Sequence, residues 1–240
     1  MDKKIFFEKI QENSKVLGFN FSVEQLEKFY KYMNLLIEWN EKMNLTAITE
    51  PNDIILKHFI DSITINKYIE NTAKVVDVGT GAGFPGIPLS IIRTDLQITL
   101  VDSLNKRLIF LQEIKKELEL KNIDIVHARV EEIGQNKNYR ETFDIATSRA
   151  VANLSTLSEY LVPLVKIKGK CVCMKASDAE EEIKQAENAV NILGGKIVKV
   201  EKFNLPNSDI GRTIIIINKE KSTNGKYPRK PGTPSKEPLK

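Results

Sequence analysis

Val75-Val76-Asp77-Val78-Gly79-Thr80-Gly81-Ala82-Gly83-Phe84-Pro85-Gly86 reads as a buried strand that ends in a glycine-rich turn and runs into a helix. Glycines at 79, 81 and 83 lack the Cβ that keeps other residues off a close neighbour, so the backbone can turn sharply and lie against a ligand. Pro85 suits the first turn of a helix, where no amide hydrogen is needed. One or two glycines suffice for a tight turn. Three in alternation point to a bound molecule.

The same strand-then-helix rhythm continues downstream. After KVVDVG come QITLVDS, IDIVHARV, FDIATSRA, KCVCMK, KIVKVEKF and RTIIIIN, separated by PGIPLSIIR, KRLIFLQEIKKELEL, LSTLSEYLVPLVK and AEEEIKQAENAVNIL. Nearly continuous apolar strands alternating with helices predict a parallel sheet covered on both faces. The last two strands are joined by a short loop through Pro206 and Gly211, which predicts an antiparallel pair. The expected fold is α/β, a doubly wound, mostly parallel, seven-stranded sheet over residues 71–220.

Residues 1–70 read as a helical cap. Leu26, Phe29, Tyr30, Met33, Leu36 and Ile37 fall on one face of a 3.6-residue period, with Ser22 and Gln25 spaced as a capping box. A further helix is expected from Pro51 to about Ile69. Residues 221–240 form a third region, rich in proline and basic side chains, expected to be extended and mobile until a partner orders it. The chain carries +4 overall, but residues 219–240 hold +5 and the remaining 218 residues −1. Such a tail fits a phosphate backbone.

Composition narrows the functions further. No apolar run approaches the roughly 18 residues of a membrane span. MDKKIFFEKI lacks the apolar core of a secretory signal. Two cysteines, Cys171 and Cys173, alternate within one strand, and only His58 and His127 could join them, so neither a disulfide framework nor a metal site is expected. A cytoplasmic enzyme without membrane or metal is the expectation.

Gly81-x-Gly83-x-x-Gly86 satisfies the dinucleotide fingerprint, so a nicotinamide reading competes. Against it stands Asp77, whose carboxylate gains nothing beside a pyrophosphate but suits a cationic sulfonium with a free amino group. S-adenosylmethionine therefore fits better. Asp102, at the end of the next strand, is placed to accept from ribose hydroxyls, or to cap the helix that follows. Val130 and Glu131, read as the end of the third strand, stand where an adenine would arrive; a solvated helix start is the alternative for Glu131 and Glu132.

WNEKMNLTAI, HFIDS, DVGTGAGFPGIPL, LVDSLNKRLIFL, RVEEIG, FDIATSRAVANL and KYPRKPGTPSKEPL, in this order from Trp39 onward, resemble the bacterial 16S ribosomal RNA methyltransferase G family. The resemblance implies a Rossmann-like fold and methylation of guanine N7 in the 530 loop of 16S rRNA, with S-adenosylmethionine as donor. It implies that Gly79, Gly81 and Phe84 line the cofactor site, that Asp102 holds the ribose, and that Val130 and Glu131 frame the adenine. It also places Arg149 at the mouth shared by cofactor and substrate. Ala128 and Ala176 stand where the family often has glycine.

Guanine N7 carries a lone pair at neutral pH, so direct in-line displacement needs no general base. Arg149 is the candidate for orienting the guanine edge or a phosphate, its alternative being an ion pair with a neighbour such as Glu131. Cys171 and Cys173 read as core, and His58 and Asp61 as a helix pair that interacts locally or edges the site, neither of them catalytic. Tyr227, Arg229 and Lys230 combine a stackable ring with phosphate-binding charges, and are the candidate contacts to 16S rRNA, whether in naked form or in an assembling small subunit. Loss of residues 226–240 is expected to weaken RNA methylation more than cofactor binding. A small-molecule or protein methyltransferase, and a binding protein without catalysis, are the competing functions.

Overall fold

The computed structural model describes residues 1–149, 151–177 and 179–240. Two long helices lead, α1 (Lys3–Val16) and α2 (Val23–Met43). Asp2 caps α1, and Ser22 and Gln25 form the expected reciprocal capping box on α2. Next, α3 (Pro51–Asp53) passes without a break through a π-helical stretch, Ile54–Ile60, into α4 (Asp61–Ile63) and a 3-10 turn, Thr64–Tyr68. The helix read over 51–69 is therefore one rod of changing pitch. On α2 the buried face is Leu26, Phe29, Tyr32, Met33 and Leu36. Tyr32 is fully buried and Tyr30 only half so, a shift of the apolar stripe that periodicity alone did not resolve.

β1 (Lys74–Val78), β2 (Gln97–Asp102), β3 (Ile123–His127), β4 (Phe143–Arg149), β5 (Val165–Ala176), β6 (Gly195–Asn204) and β7 (Gly211–Lys219) form one sheet in the order β3-β2-β1-β4-β5-β7-β6. β1 to β5 are mutually parallel, and β7 runs antiparallel between β5 and β6. The predicted hairpin is present, with its second strand inserted inside the sheet. β3 stops at His127, shorter than the sequence suggested, because Val130 already opens a helix.

Alternate side chains serve the two faces. Val75, Ile98, Leu100, Ile145, Ile214 and Ile216 share one apolar core with Phe6, Phe29, Tyr32 and Phe59 of the N-terminal helices and with α5 (Gly86–Ile92) and α6 (Asn105–Glu117). Val76, Val78, Val101, Cys171, Cys173, Ile215 and Ile217 share the other with α7 (Val130–Gln135), α8 (Leu154–Leu161) and α9 (Glu180–Ile192). A polar strand face has no room in either layer, which explains four consecutive isoleucines in β7.

The tail folds back instead of extending. Tyr227 is buried in the second core, and a short helix, α10 (Thr233–Lys236), sits against α8, where Thr156 Oγ1 donates to the Pro234 carbonyl. Arg229 pairs with Glu159, whose side chain is wholly buried, and Arg140 donates to the carbonyls of Tyr227 and Thr223. The expected extended tail gives way to a clasp because the buried Glu159 carboxylate attracts Arg229, while Arg140 and Thr156 of the domain donate to the tail's own carbonyls. Among the described residues no helix is long and apolar enough to cross a membrane.

Candidate functional site

Strand order reverses between β1 and β4, and a cavity of about 690 Å³ opens there beyond the carboxyl ends of the strands. The loop after β1 forms one wall. Gly79, Gly81 and Gly83 all have positive φ (65°, 62° and 106°), which a side chain rarely tolerates. A Cβ on Gly81 would meet no atom within 4 Å, whereas one on Gly83 would lie 2.4 Å from Ile87 Cγ1 and 2.7 Å from the Tyr32 hydroxyl. Gly81 thus opens toward the cavity, and Gly83 is needed for packing beneath it.

Asp77 holds this loop from below. Its Oδ2 accepts from Thr80 Oγ1 at 2.6 Å and from the Gly86 amide at 2.8 Å, while Oδ1 is buried without a partner among the described residues. Burial raises its pKa to about 6, against the lowering effect of those two bonds and of Arg149. Asp77 does not line the cavity, so the charge that weighed against a nicotinamide reading braces the turn and does not face the ligand.

Gly79, Gly81, Phe84, Asp102, Val130, Glu131 and Arg149 all line the one cavity. Asp102 Oδ2 accepts from the Gly81 amide at 2.9 Å, and Oδ1 from the Leu104 amide at 2.9 Å; Arg107 lies 3.1 Å from Oδ2. The N-cap of α6 is Leu104, so Asp102 is not the helix cap. Val130 and Glu131 begin α7, and Glu131 Oε1 accepts from the amide of Gly232, drawing the tail to the cavity rim, where Gly232 and Ser235 complete the wall.

Arg149 does have an ion-pair neighbour, and it is Asp61 in place of Glu131. Its Nη1 donates to the Lys57 carbonyl at 2.8 Å and lies 3.4 Å from Asp61 Oδ2; its Nη2 lies 3.0 Å from His58 Nδ1. The guanidinium also stands 5.0 Å from the centre of the Phe84 ring, and His58 stacks on the same ring at 4.2 Å with an 11° tilt. Tyr32 stacks from α2 at 5.4 Å and donates to the Ala82 carbonyl at 2.6 Å. An aromatic stack therefore ties the N-terminal helices to the glycine loop.

Burial, reinforced by the Arg149 charge, pushes His58 down to a pKa of about 3. The neutral ring accepts at Nδ1 from Arg149, so its Nε2 hydrogen is left for Thr46 Oγ1, 2.9 Å away. His58 thus edges the site, one of the two places its sequence allowed, and Thr46, which no motif singled out as a site residue, lines the cavity beside it. The MNLTAI and HFIDS segments were the available signal. Cys171 and Cys173 are fully buried, and desolvation pushes the Cys173 thiol up to about 12 and that of Cys171 well above its ordinary range, which suits core packing.

Lys230 is exposed, in contrast to Tyr227 and Arg229, whose side chains are directed into the domain. Of the three tail residues singled out, the structure leaves one free at the surface.

The family model of rRNA small subunit methyltransferase G matches residues 25–210. The chain belongs to this family. It is 47% identical over 233 residues to ribosomal RNA small subunit methyltransferase G of Alkaliphilus metalliredigens, covering 96% of this chain and 98% of that protein. The enzyme of the same name from Bacillus velezensis is 50% identical over 224 residues, covering 92% and 94%. An S-adenosylmethionine-dependent methyltransferase of Aquifex aeolicus shares the fold, with a TM-score of 0.52 at 15% identity over 70% of this chain and 93% of that one. The similarity to methyltransferase G relatives begins upstream of Trp39, where the motifs began.

As a methyltransferase G, the enzyme uses S-adenosylmethionine. The residues fit that group: Gly81 leaves open space where a Cβ would stand, and the buried Asp102 carboxylate lies at the cavity edge beside it.

Proposed function

We propose that the enzyme methylates N7 of a guanine in the 530 loop of 16S rRNA by direct in-line displacement, in the cytoplasm and on naked rRNA or an assembling small subunit. The observation that carries the mechanism is His58, held neutral with both ring nitrogens engaged. This histidine, with its pKa near 3 and both nitrogens engaged, is no general base, and an N7 acceptor needs none. The bound cofactor supplies a methyl on a sulfonium. N7 would take that methyl directly, with the purine left carrying the positive charge and no proton to be removed.

In this reading Gly79, Gly81 and Phe84 cradle the cofactor, Asp102 accepts from its ribose, and Val130 and Glu131 frame its adenine. Arg149 steers the guanine toward the methyl, where proximity and orientation can supply most of the rate. Lys230 meets the RNA backbone directly, while Tyr227 and Arg229 hold the tail that presents it.

Transfer of a labelled methyl to 16S rRNA lacking the native modification, followed by borohydride–aniline cleavage, tests this. One cleavage in the 530 loop is expected. Labelled rRNA without cleavage there would reject the guanine-N7 assignment.

A further inference from the structure

Beside the cofactor cavity lies a second one, of about 500 Å³, and the two share His58 and Arg149 as lining. Its wall also carries Asp61, Arg212 and Ala176. Asp61 comes from the helical cap and Arg212 from β7, 151 positions apart in sequence. Oδ2 of Asp61 accepts from Arg212 Nε at 2.9 Å and faces Arg149 Nη1 at 3.4 Å. Its Oδ1 is buried and has no hydrogen-bond partner among the described residues.

A buried acceptor without a partner is costly, and such groups are exceptions in folded proteins. Asp61 belongs to a cavity wall, next to His58 and Arg149, which line both cavities. The chemistry that satisfies it is an N–H donor. Among the RNA bases, guanine presents N1–H and the 2-amino group side by side on the edge opposite N7. Adenine offers an acceptor at N1 and only C–H at position 2. On guanine the neighbouring O6 is an acceptor, and two guanidinium groups flank the same carboxylate.

We propose that the second cavity receives the target guanine and that Asp61 Oδ1 selects it by accepting from N1–H and the 2-amino group, which turns N7 toward the cofactor cavity. This rests on the guanine-N7 reading above and adds the basis of base selection. Asp61 is a specificity residue. No proton is transferred to it, and it does not touch the reacting atoms.

The test uses 16S rRNA assembled by ligation with either guanosine or inosine at the target position. Inosine keeps N7, O6 and N1–H and lacks only the 2-amino group. The wild-type enzyme should lose about tenfold or more in kcat/KM on inosine, the scale of discrimination a buried hydrogen-bond donor supports. In Asp61→Asn the two arginines fix the amide oxygen at the Oδ2 position, which puts an NH2 donor against the base. That variant should be slow on both RNAs and prefer guanosine by less than about twofold, with cofactor affinity unchanged as the check on folding. A purely structural role would slow both RNAs and leave the wild-type preference intact.

Equal rates on the two RNAs for the wild-type enzyme, or an undiminished preference in Asp61→Asn, would overturn the proposal. As a second variant, Ala176→Trp fills the cavity from an exposed position, and it should abolish methyl transfer while cofactor binding persists. Full activity of Ala176→Trp would also overturn it. If the guanosine RNA is labelled elsewhere than N7, the guanine reading itself fails, and the Asp61 assignment falls with it.

Discussion

Nη2 of Arg149, at the end of β4, lies 3.0 Å from Nδ1 of His58, 91 positions earlier in the chain. This contact joins the helical cap to the sheet at the border of both cavities. It also fixes the histidine as a neutral acceptor, because a proton on Nδ1 would face a permanent cation.

The first consequence is in acid. His58 has a pKa of about 3 in the folded protein, well below its ordinary value. Between pH 6.5 and 3 the unfolded chain binds a proton that the folded one refuses, so stability from this group is full above pH 6.5 and is lost as pH falls. His58→Phe keeps a ring against Phe84 and removes the titration. Urea unfolding at pH 7.5 and pH 5 should show the wild-type advantage over this variant shrinking by about 2 kcal/mol at the lower pH. A constant difference would contradict the neutral, buried histidine.

Asp77 acts in the opposite sense. Its pKa is raised to about 6, so the folded state takes up a proton between pH 6 and 3.8 before the unfolded chain does. Its contribution is present at low pH and lost as pH rises through 6. Asp77→Asn should therefore gain on the wild type by up to about 3 kcal/mol between pH 4 and pH 7. Calorimetric or urea unfolding across that range provides the measurement.

Gly83 combines φ of 106° with neighbours that leave a methyl no space. Gly83→Ala should lower stability by about 2 kcal/mol or more and displace the loop. Titration with S-adenosylmethionine should show weaker binding in this variant.

The tail reaches the cavity wall through Gly232 and Glu131, and it is anchored by Arg229 on the buried Glu159. Arg229→Ala leaves that carboxylate without its cation and should cost about 3 kcal/mol. Deleting residues 226–240 should therefore weaken cofactor binding together with RNA methylation. Isothermal titration separates this from the purely RNA-binding tail expected from composition, for which cofactor affinity would be unchanged.

Local pattern carried most of the sheet and helices, since the unbroken isoleucine run of β7 and the 3.6-residue stripe of α2 are set by neighbours in sequence. The glycine loop, Asp102 and Arg149 were legible because the chemistry of a βα turn and the ends of parallel strands is local too. The pairs Asp61–Arg212, Arg149–His58 and Arg229–Glu159 were not, since each joins residues 70 or more positions apart. The insertion of β7 between β5 and β6, and the clasp of a tail rich in proline and charge, depend on the same long-range packing.

Guanine N7 is the proposed methyl acceptor. Replacing the target guanosine in 16S rRNA with 7-deazaguanosine changes that one nitrogen to C–H and keeps the edge that carries O6, N1–H and the 2-amino group. Labelled methyl transfer to the guanosine RNA and none to the 7-deaza RNA is the predicted result; comparable labelling of both would contradict it.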